Sequence, residues 1–135
     1  MDIRKITDEL SVAPQIKARD VPALAAAGFR AVICNRPDAE ASDQPCCREI
    51  EEAVKVAGLA WRSQPVRSGA VTREDADAFA ALMAELPNPV LAYCRSGTRC
   101  AALWSLSQAG HRPLPDILAR TQAAGYDMTA VMARA

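Results

Sequence analysis

With 135 residues, half of them apolar and about a quarter charged, the chain is long enough to bury one core, and residues 1–135 are expected to form a single domain. Lysine plus arginine equals aspartate plus glutamate, 16 against 16; the global positive field that nucleic-acid binding uses is absent, and no nucleic-acid partner is expected. No run reaches the ~18 apolar residues of a spanning helix, the first residues lack the basic head and apolar stretch of a secretory signal, and five cysteines give no even disulfide framework, so a cytoplasmic protein with free thiols and no membrane association is expected.

Between Ile3 and Val12 two short strand candidates flank "TDEL". "RDVPALAAAGF" predicts a helix with Asp20 as its cap and Gly28 as its stop. "RAVICNRP" is a β-branched apolar run ended by Asn35, Arg36 and Pro37, the pattern of a buried strand leaving the core. "SDQPCCREIEEAVKVAGL" returns to helical period, with Ile50, Val54, Val56 and Ala57 on its apolar side and Gly58 at its end. "AWRSQPV" is strand-like, and "RSGAV" is a loop. Thr72 and Asp75, three apart, then open the helix "TREDADAFAALMAEL" in the manner of a capping box, with Phe79, Leu82, Met83 and Leu86 as its stripe. "LPNP" ends that helix and "VLAY" is a buried strand. Further helices lie in "RCAALWSLSQAG", "LPDILARTQAAG" and "DMTAVMARA", with Gly110 and Gly125 as stops. Strands alternating with helices define an α/β fold: a central parallel sheet of four to five strands flanked by helices.

The chemistry concentrates in "YCRSGTRC", residues 93–100. Cys94 leaves the C-terminal end of a buried parallel strand and a helix starts near Thr98 or Arg99, the place where open α/β sheets bind ligands. Gly97 permits positive φ, so the backbone of Arg95, Ser96, Gly97 and Thr98 can turn its N–H groups inward as an anion-binding nest, and the helix N-terminus adds donors. A thiol in this position, beside Arg95 and Arg99, ionises more easily than a free cysteine. Arg99 supplies a planar fork for two oxygens of a phosphorus or sulfur oxyanion. Cys94 and Arg99 are therefore the expected catalytic residues.

The loop "YCRSGTR" resembles the active-site loop of rhodanese-type sulfurtransferases, in which a cysteine carries a persulfide and the loop from cysteine to arginine is six residues long. The chain from about residue 5 to residue 110 is similar to the phosphatase-like domain of the beta-lactamase-hydrolase-like family, on the stretches "LSVAPQIKARDVPALAAAGFRAVICNRPDAE", "QPVRSGAVTREDADAF" and the loop itself. That resemblance implies the fold of the protein tyrosine and dual-specificity phosphatases. It also marks two departures. Phosphatases of that type place five residues between cysteine and arginine; here four separate Cys94 from Arg99, and the next position is Cys100. Their general-acid aspartate has no match in "PVRSG", where Arg67 and Ser68 stand; Asp38, Glu40, Asp75 and Asp77 are the carboxylates within sequence reach. Sulfite leaves thiosulfate without needing a proton, so the leading expectation is a sulfurtransferase forming a Cys94 persulfide, drawing on thiosulfate or a persulfide and passing sulfur to a thiol acceptor. A hydrolase of phosphate esters through a Cys94 phospho-enzyme is the alternative, and a non-catalytic redox or oxyanion sensor the third reading. The resemblance also implies work beside persulfide-metabolising enzymes.

No cofactor is expected, and no metal, because the cysteines lack ligand spacing. Cys100 is a candidate to resolve an oxidised Cys94. Arg36, together with Asn35 and Asp38, ends a neighbouring strand and is a candidate for the cleft, as are Arg67 and Ser68 at its entrance. Cys34 is expected in the core, Tyr93 is expected to face away from the nucleophile, and Cys46 and Cys47, being adjacent, are not expected to bridge one another. Trp61 and Trp104 read as packing residues, and His111 as a surface or capping residue.

Overall fold

The computed structural model describes residues 1–135. Its strands are β1 (Arg4–Lys5), β2 (Leu10–Ala13), β3 (Ala31–Cys34), β4 (Ala60–Ser63) and β5 (Val90–Tyr93), and its helices are α1 (Val21–Ala26), α2 (Cys47–Val56), α3 (Arg73–Glu85), α4 (Thr98–Gln108), α5 (Leu114–Ala123) and α6 (Thr129–Met132). The five strands form one sheet in the order β1-β2-β5-β3-β4. All neighbours are parallel except β1, which pairs antiparallel with β2 through a tight turn. β5, last in sequence, lies at the centre of the sheet, with Ala92 opposite both Val12 and Ile33.

The period-two alternation of a strand divides the core in two. Leu10, Val12, Ala31, Ile33, Val90 and Ala92 face α3 to α6 and pack with Phe79, Leu103, Trp104 and Ile117. Ala13, Val32, Cys34, Leu91 and Tyr93 face the other way and pack with Val21 and Leu24 of α1 and Ile50 and Val54 of α2. Every residue of β2, β3 and β5 is buried, as expected of parallel strands covered on both faces. Full burial of side chains such as Leu91 and Phe79 contributes roughly 1.5–3 kcal/mol each.

Two local expectations need correction. Val56 is 89% exposed: at ~3.6 residues per turn, a residue two beyond Val54 lies on the opposite side of the helix from the Ile50 and Val54 stripe. Asp20 does not cap α1 with its side chain; its carboxylate accepts from the Lys17 N–H at 2.8 Å and closes the short 3-10 turn Ala18–Asp20. The capping box at Thr72 does form: the Thr72 hydroxyl accepts from Asp75 N–H at 3.1 Å and the Asp75 carboxylate from Thr72 N–H at 3.0 Å. That box fixes the loop between β4 and α3, which borders the site. No helix is long and apolar enough to cross a membrane.

Candidate active site

β5 ends at Tyr93, whose ring turns into the α1 and α2 side of the sheet, so Cys94 falls on the opposite side, against α4. The chain then reverses within residues 94–97. Gly97 is the N-cap of α4 with φ of 90°, and any Cβ there would also run into the Tyr126 hydroxyl, so both backbone and space require glycine. Tyr126 donates its hydroxyl hydrogen to the Ser96 carbonyl at 3.0 Å. On the other flank Gln15 N–H donates to the Arg95 carbonyl at 3.2 Å. With its outward carbonyls held in this way, the loop turns N–H groups inward: that of Gly97 lies 3.1 Å from Cys94 Sγ.

Cys94 is wholly buried, and its pKa falls from the ordinary 9.0 to about 5. The main cause is a hydrogen bond from the Cys100 thiol. Burial opposes it, and the N–H groups of Cys100, Arg99 and Gly97 add to the lowering. Cys100 is pushed in the other direction, first by its own burial and then by the Cys94 sulfur. It therefore remains a thiol and can act as the donor. At neutral pH the pair is one thiolate and one thiol that holds its proton and donates a hydrogen bond.

Arg99 lies on the first turn of α4 and is almost fully buried. Its Nη1 donates to Glu40 Oε2 at 2.7 Å and to the Val66 carbonyl at 2.9 Å, and its Nη2 donates to Glu40 Oε1 at 2.9 Å. Glu40 thus grips the end of the guanidinium. The Nε–H and the second Nη2 hydrogen, which together form the edge that chelates two oxygens of an anion, are left for a ligand. Glu40 is held in turn by Arg36 Nε at 3.0 Å, and Arg36 Nη1 donates to Gln15 Oε1 at 3.0 Å. The Arg99 guanidinium, seconded by Arg36, keeps the Glu40 carboxyl below the usual carboxylate range. Glu40 is therefore ionised and cannot donate a proton at neutral pH. The other carboxylates within sequence reach are also engaged: Asp38 accepts from Cys47 N–H at 2.7 Å, Asp75 caps α3, and Asp77 pairs with Arg73 at 3.4 Å. No general acid faces the thiolate.

The structure thus brings Cys94, Arg95, Ser96, Gly97, Thr98, Arg99 and Cys100 together, and Arg36 joins them through Glu40. Ser68 lines a cleft of about 670 Å³ beside the loop, whereas Arg67 is exposed and lies outside its lining. Glu40 anchors Arg99 and pairs with Arg36, the latter contact hinted at by its place four residues after Arg36. Gln15 and Tyr126, far away in sequence, gave no signal. Cys34 is buried as expected, but its sulfur lies 3.1 Å from that of Cys47, and both reach the Arg36 carbonyl, at 3.3 and 3.6 Å. Burial and the Cys34 sulfur raise the Cys47 pKa. The Asn35 side-chain amide donates to the Gln64 carbonyl at 3.0 Å, and its Oδ1 is buried without a partner.

A thiolate at the C-terminal end of the central strand, held by backbone N–H groups and followed by an arginine fork on a largely parallel sheet, marks a tyrosine-phosphatase-like fold with a candidate cysteine-centred site. The chain belongs to the family of the beta-lactamase hydrolase-like protein, phosphatase-like domain, which it matches over residues 2–111. It is 35% identical over 128 residues to a beta-lactamase hydrolase-like protein of Agrobacterium fabrum strain C58, covering 93% of this chain and 30% of that protein; the chain spans about a third of the length of the curated relatives it matches. Among solved structures, a protein of Neisseria meningitidis Z2491 provisionally assigned as a phosphatase superposes with a TM-score of 0.90 at 36% identity, covering 99% of this chain and 96% of that one. Tk-PTP in its active form superposes with a TM-score of 0.76 at 17% identity, over 98% of this chain and 92% of that one, a likeness of fold alone. The family match and the superposition support a phosphatase-like domain.

Proposed function

We propose that the protein is a cysteine-dependent hydrolase of phosphate-containing substrates. The observation that carries this reading is the pairing of Cys94 and Arg99 on one short loop: a thiolate formed above about pH 5 and, five residues on, a guanidinium that Glu40 holds by its end so that its other edge is free. Cys94 attacks phosphorus, the phosphoryl oxygens take hydrogen bonds from the loop and from Arg99, and the leaving group departs opposite the sulfur. Water then cleaves the S–P bond, releasing orthophosphate and restoring the thiolate, which the Cys100 thiol stabilises as it re-forms. Arg99 and the loop amides need no rearrangement between the two steps, because their protein partners already fix them.

The sequence places sulfur transfer first; the phosphatase-like relatives on which the whole chain superposes support the reverse order. Sulfur transfer stays as the second reading because four residues, not five, separate Cys94 from Arg99, and because the site has no general acid. Intact mass after brief incubation with 4-nitrophenyl phosphate, and separately with thiosulfate, decides between them. Gain of one phosphoryl group on the native protein but not on Cys94→Ser supports the phosphatase. Gain of one sulfur atom that cyanide removes, without any phosphoryl gain, overturns it in favour of the sulfurtransferase.

A further inference from the structure

The cleft beside the loop combines two properties that the attack itself does not use. Its apolar lining is built from Val71, Ala102, Leu106 and Val131, and Arg73, Arg95, Arg99 and Arg134 line it too, with no aspartate or glutamate side chain among the lining residues. In a chain whose charges balance at 16 against 16, Glu40 answers Arg99 and Asp77 answers Arg73 from outside the lining, so the positive charge left to the cleft is that of Arg95 and Arg134. These two are uncommitted: neither Arg95 nor Arg134 makes a side-chain hydrogen bond or an ion pair, whereas other arginines, such as Arg62, Arg112 and Arg120, are paired. Arg73 is partly occupied, by the Leu106 carbonyl at 2.8 Å and by Asp77 at 3.4 Å.

Resting on the phosphatase reading above, we propose that the substrate is a phosphoric anhydride, an acyl phosphate or a diphosphate, whose leaving portion departs as an anion into this arginine-lined cleft. Two independent observations meet in that assignment. The carboxylates near the thiolate are all ionised or engaged, so the bridging oxygen must leave without a proton from the protein; an alkoxide does so poorly, whereas a carboxylate or phosphate does so readily. The cleft that adjoins the loop is built for an anion with an apolar body, which is what such a leaving group is when it carries an organic substituent. In the step itself the Cys94 Sγ electron pair forms the S–P bond as the bridging P–O bond breaks. The bridging oxygen keeps that electron pair, and its negative charge lies against Arg95 and Arg134. Water then attacks the phosphocysteine, the S–P electron pair returns to sulfur, and one proton passes to solvent with orthophosphate. No oxidant, reductant or metal enters the balance.

The experiment is a leaving-group series assayed by phosphate release: inorganic pyrophosphate, acetyl phosphate and benzoyl phosphate as anhydrides, 4-nitrophenyl and phenyl phosphate as aryl esters, and glycerol phosphate as an alkyl ester. It uses the native chain, Cys94→Ser and Arg134→Gln, and counts only the rate lost in Cys94→Ser. The expected result is kcat/KM at least ~100-fold higher for anhydrides than for phenyl or glycerol phosphate, the factor a missing general acid withholds from poor leaving groups. Benzoyl phosphate should exceed acetyl phosphate because of the apolar lining. Arg134→Gln should lower kcat/KM for pyrophosphate about 10-fold, one charge-assisted contact, and lower that for 4-nitrophenyl phosphate less, because the departing phenolate spreads its single charge over the ring. Cys94-dependent turnover equally fast on glycerol phosphate and on anhydrides would sink the anhydride assignment while sparing the phosphatase reading. An unchanged kcat/KM for pyrophosphate in Arg134→Gln would overturn the role of the cleft. Absence of Cys94-dependent turnover on every compound would remove the phosphatase reading and this proposal together.

Discussion

At the scale of single residues, the site is governed by which groups are charged. Cys94 carries a pKa of about 5 against an ordinary 9.0, so its rate of alkylation by iodoacetamide should follow a titration with its midpoint near pH 5, and kcat/KM should fall about tenfold per pH unit below it. Because the folded value is depressed, the thiolate's contribution to stability is complete above pH 9, declines as pH falls toward 5, and is gone below it. Cys100→Ala removes the largest cause of the depression, so the alkylation midpoint should move upward; an unmoved midpoint would mean that the backbone N–H groups alone hold the thiolate. Glu40 is the second charge that matters. Glu40→Gln leaves Arg99 and Arg36, both nearly fully buried, without their anion, and should cost about 3 kcal/mol of stability, as removal of one partner from a buried pair does. Its folded pKa lies below the ordinary 4.5, so the native protein should lose this stabilisation as pH falls from about 4.5 through the folded value, while the variant shows no such loss in that window. Urea denaturation of both proteins between pH 3 and pH 7 reads the difference directly.

At the scale of elements, the loop between β5 and α4 is shaped from outside by Tyr126, which follows α5. The Tyr126→Phe variant loses the bond to the Ser96 carbonyl, and its cost should be about 1 kcal/mol. Gly97→Ala should cost about 2 kcal/mol from the left-handed backbone and more from collision with the Tyr126 hydroxyl. The two changes should therefore couple: the double variant should be less destabilised than the sum of the single ones, by ~0.5 kcal/mol or more in a double-mutant cycle. Strict additivity would show that the methyl and the hydroxyl do not compete for the same space. This is also the scale that divides what the sequence discloses from what it hides. The elements are legible because each obeys a local rule: β-branched runs for β3 and β5, the Thr72 and Asp75 box for α3, glycines just beyond helix ends. The loop "YCRSGTR" is legible because its residue types and spacing perform one task within six positions. Tyr126 and Gln15 were invisible because their reason for being there lies across the fold, and the Cys34 and Cys47 pair was missed because β3 and α2 meet only in three dimensions. In the sequence Glu40 reads as a candidate acid; only the guanidiniums of Arg99 and Arg36, approaching from two elements, turn it into an anchor.

At the scale of the whole molecule, the proposed anion site is where the separate parts of the fold are tied together. The loop that follows β5 is joined to the end of β2 through Gln15 and Arg95, to the segment after β3 through Arg99, Glu40 and Arg36, to the segment after β4 through the Val66 carbonyl, and to the C-terminal region through Tyr126. An oxyanion that neutralises Arg99 and fills the loop amides therefore stabilises a junction of four segments, and its effect should appear in global unfolding. Orthophosphate at 100 times its Kd should add about 2.7 kcal/mol, equivalent to roughly 10 °C in Tm for a chain of this size. Two variants give this shift a sign. Arg99→Lys replaces a planar fork by a single point of contact and cannot keep both Glu40 and the anion, so the shift should nearly vanish. Cys94→Ser removes the thiolate's negative charge from beneath the phosphate while keeping the amides, so phosphate should bind at least as tightly and the shift should persist or grow. Phosphate binding measured by calorimetry without any change in Tm would mean that the loop opens independently of the sheet. Loss of the shift in Cys94→Ser would mean that the thiolate and its hydrogen-bond donors shape the ring, and that the amides do not hold it on their own.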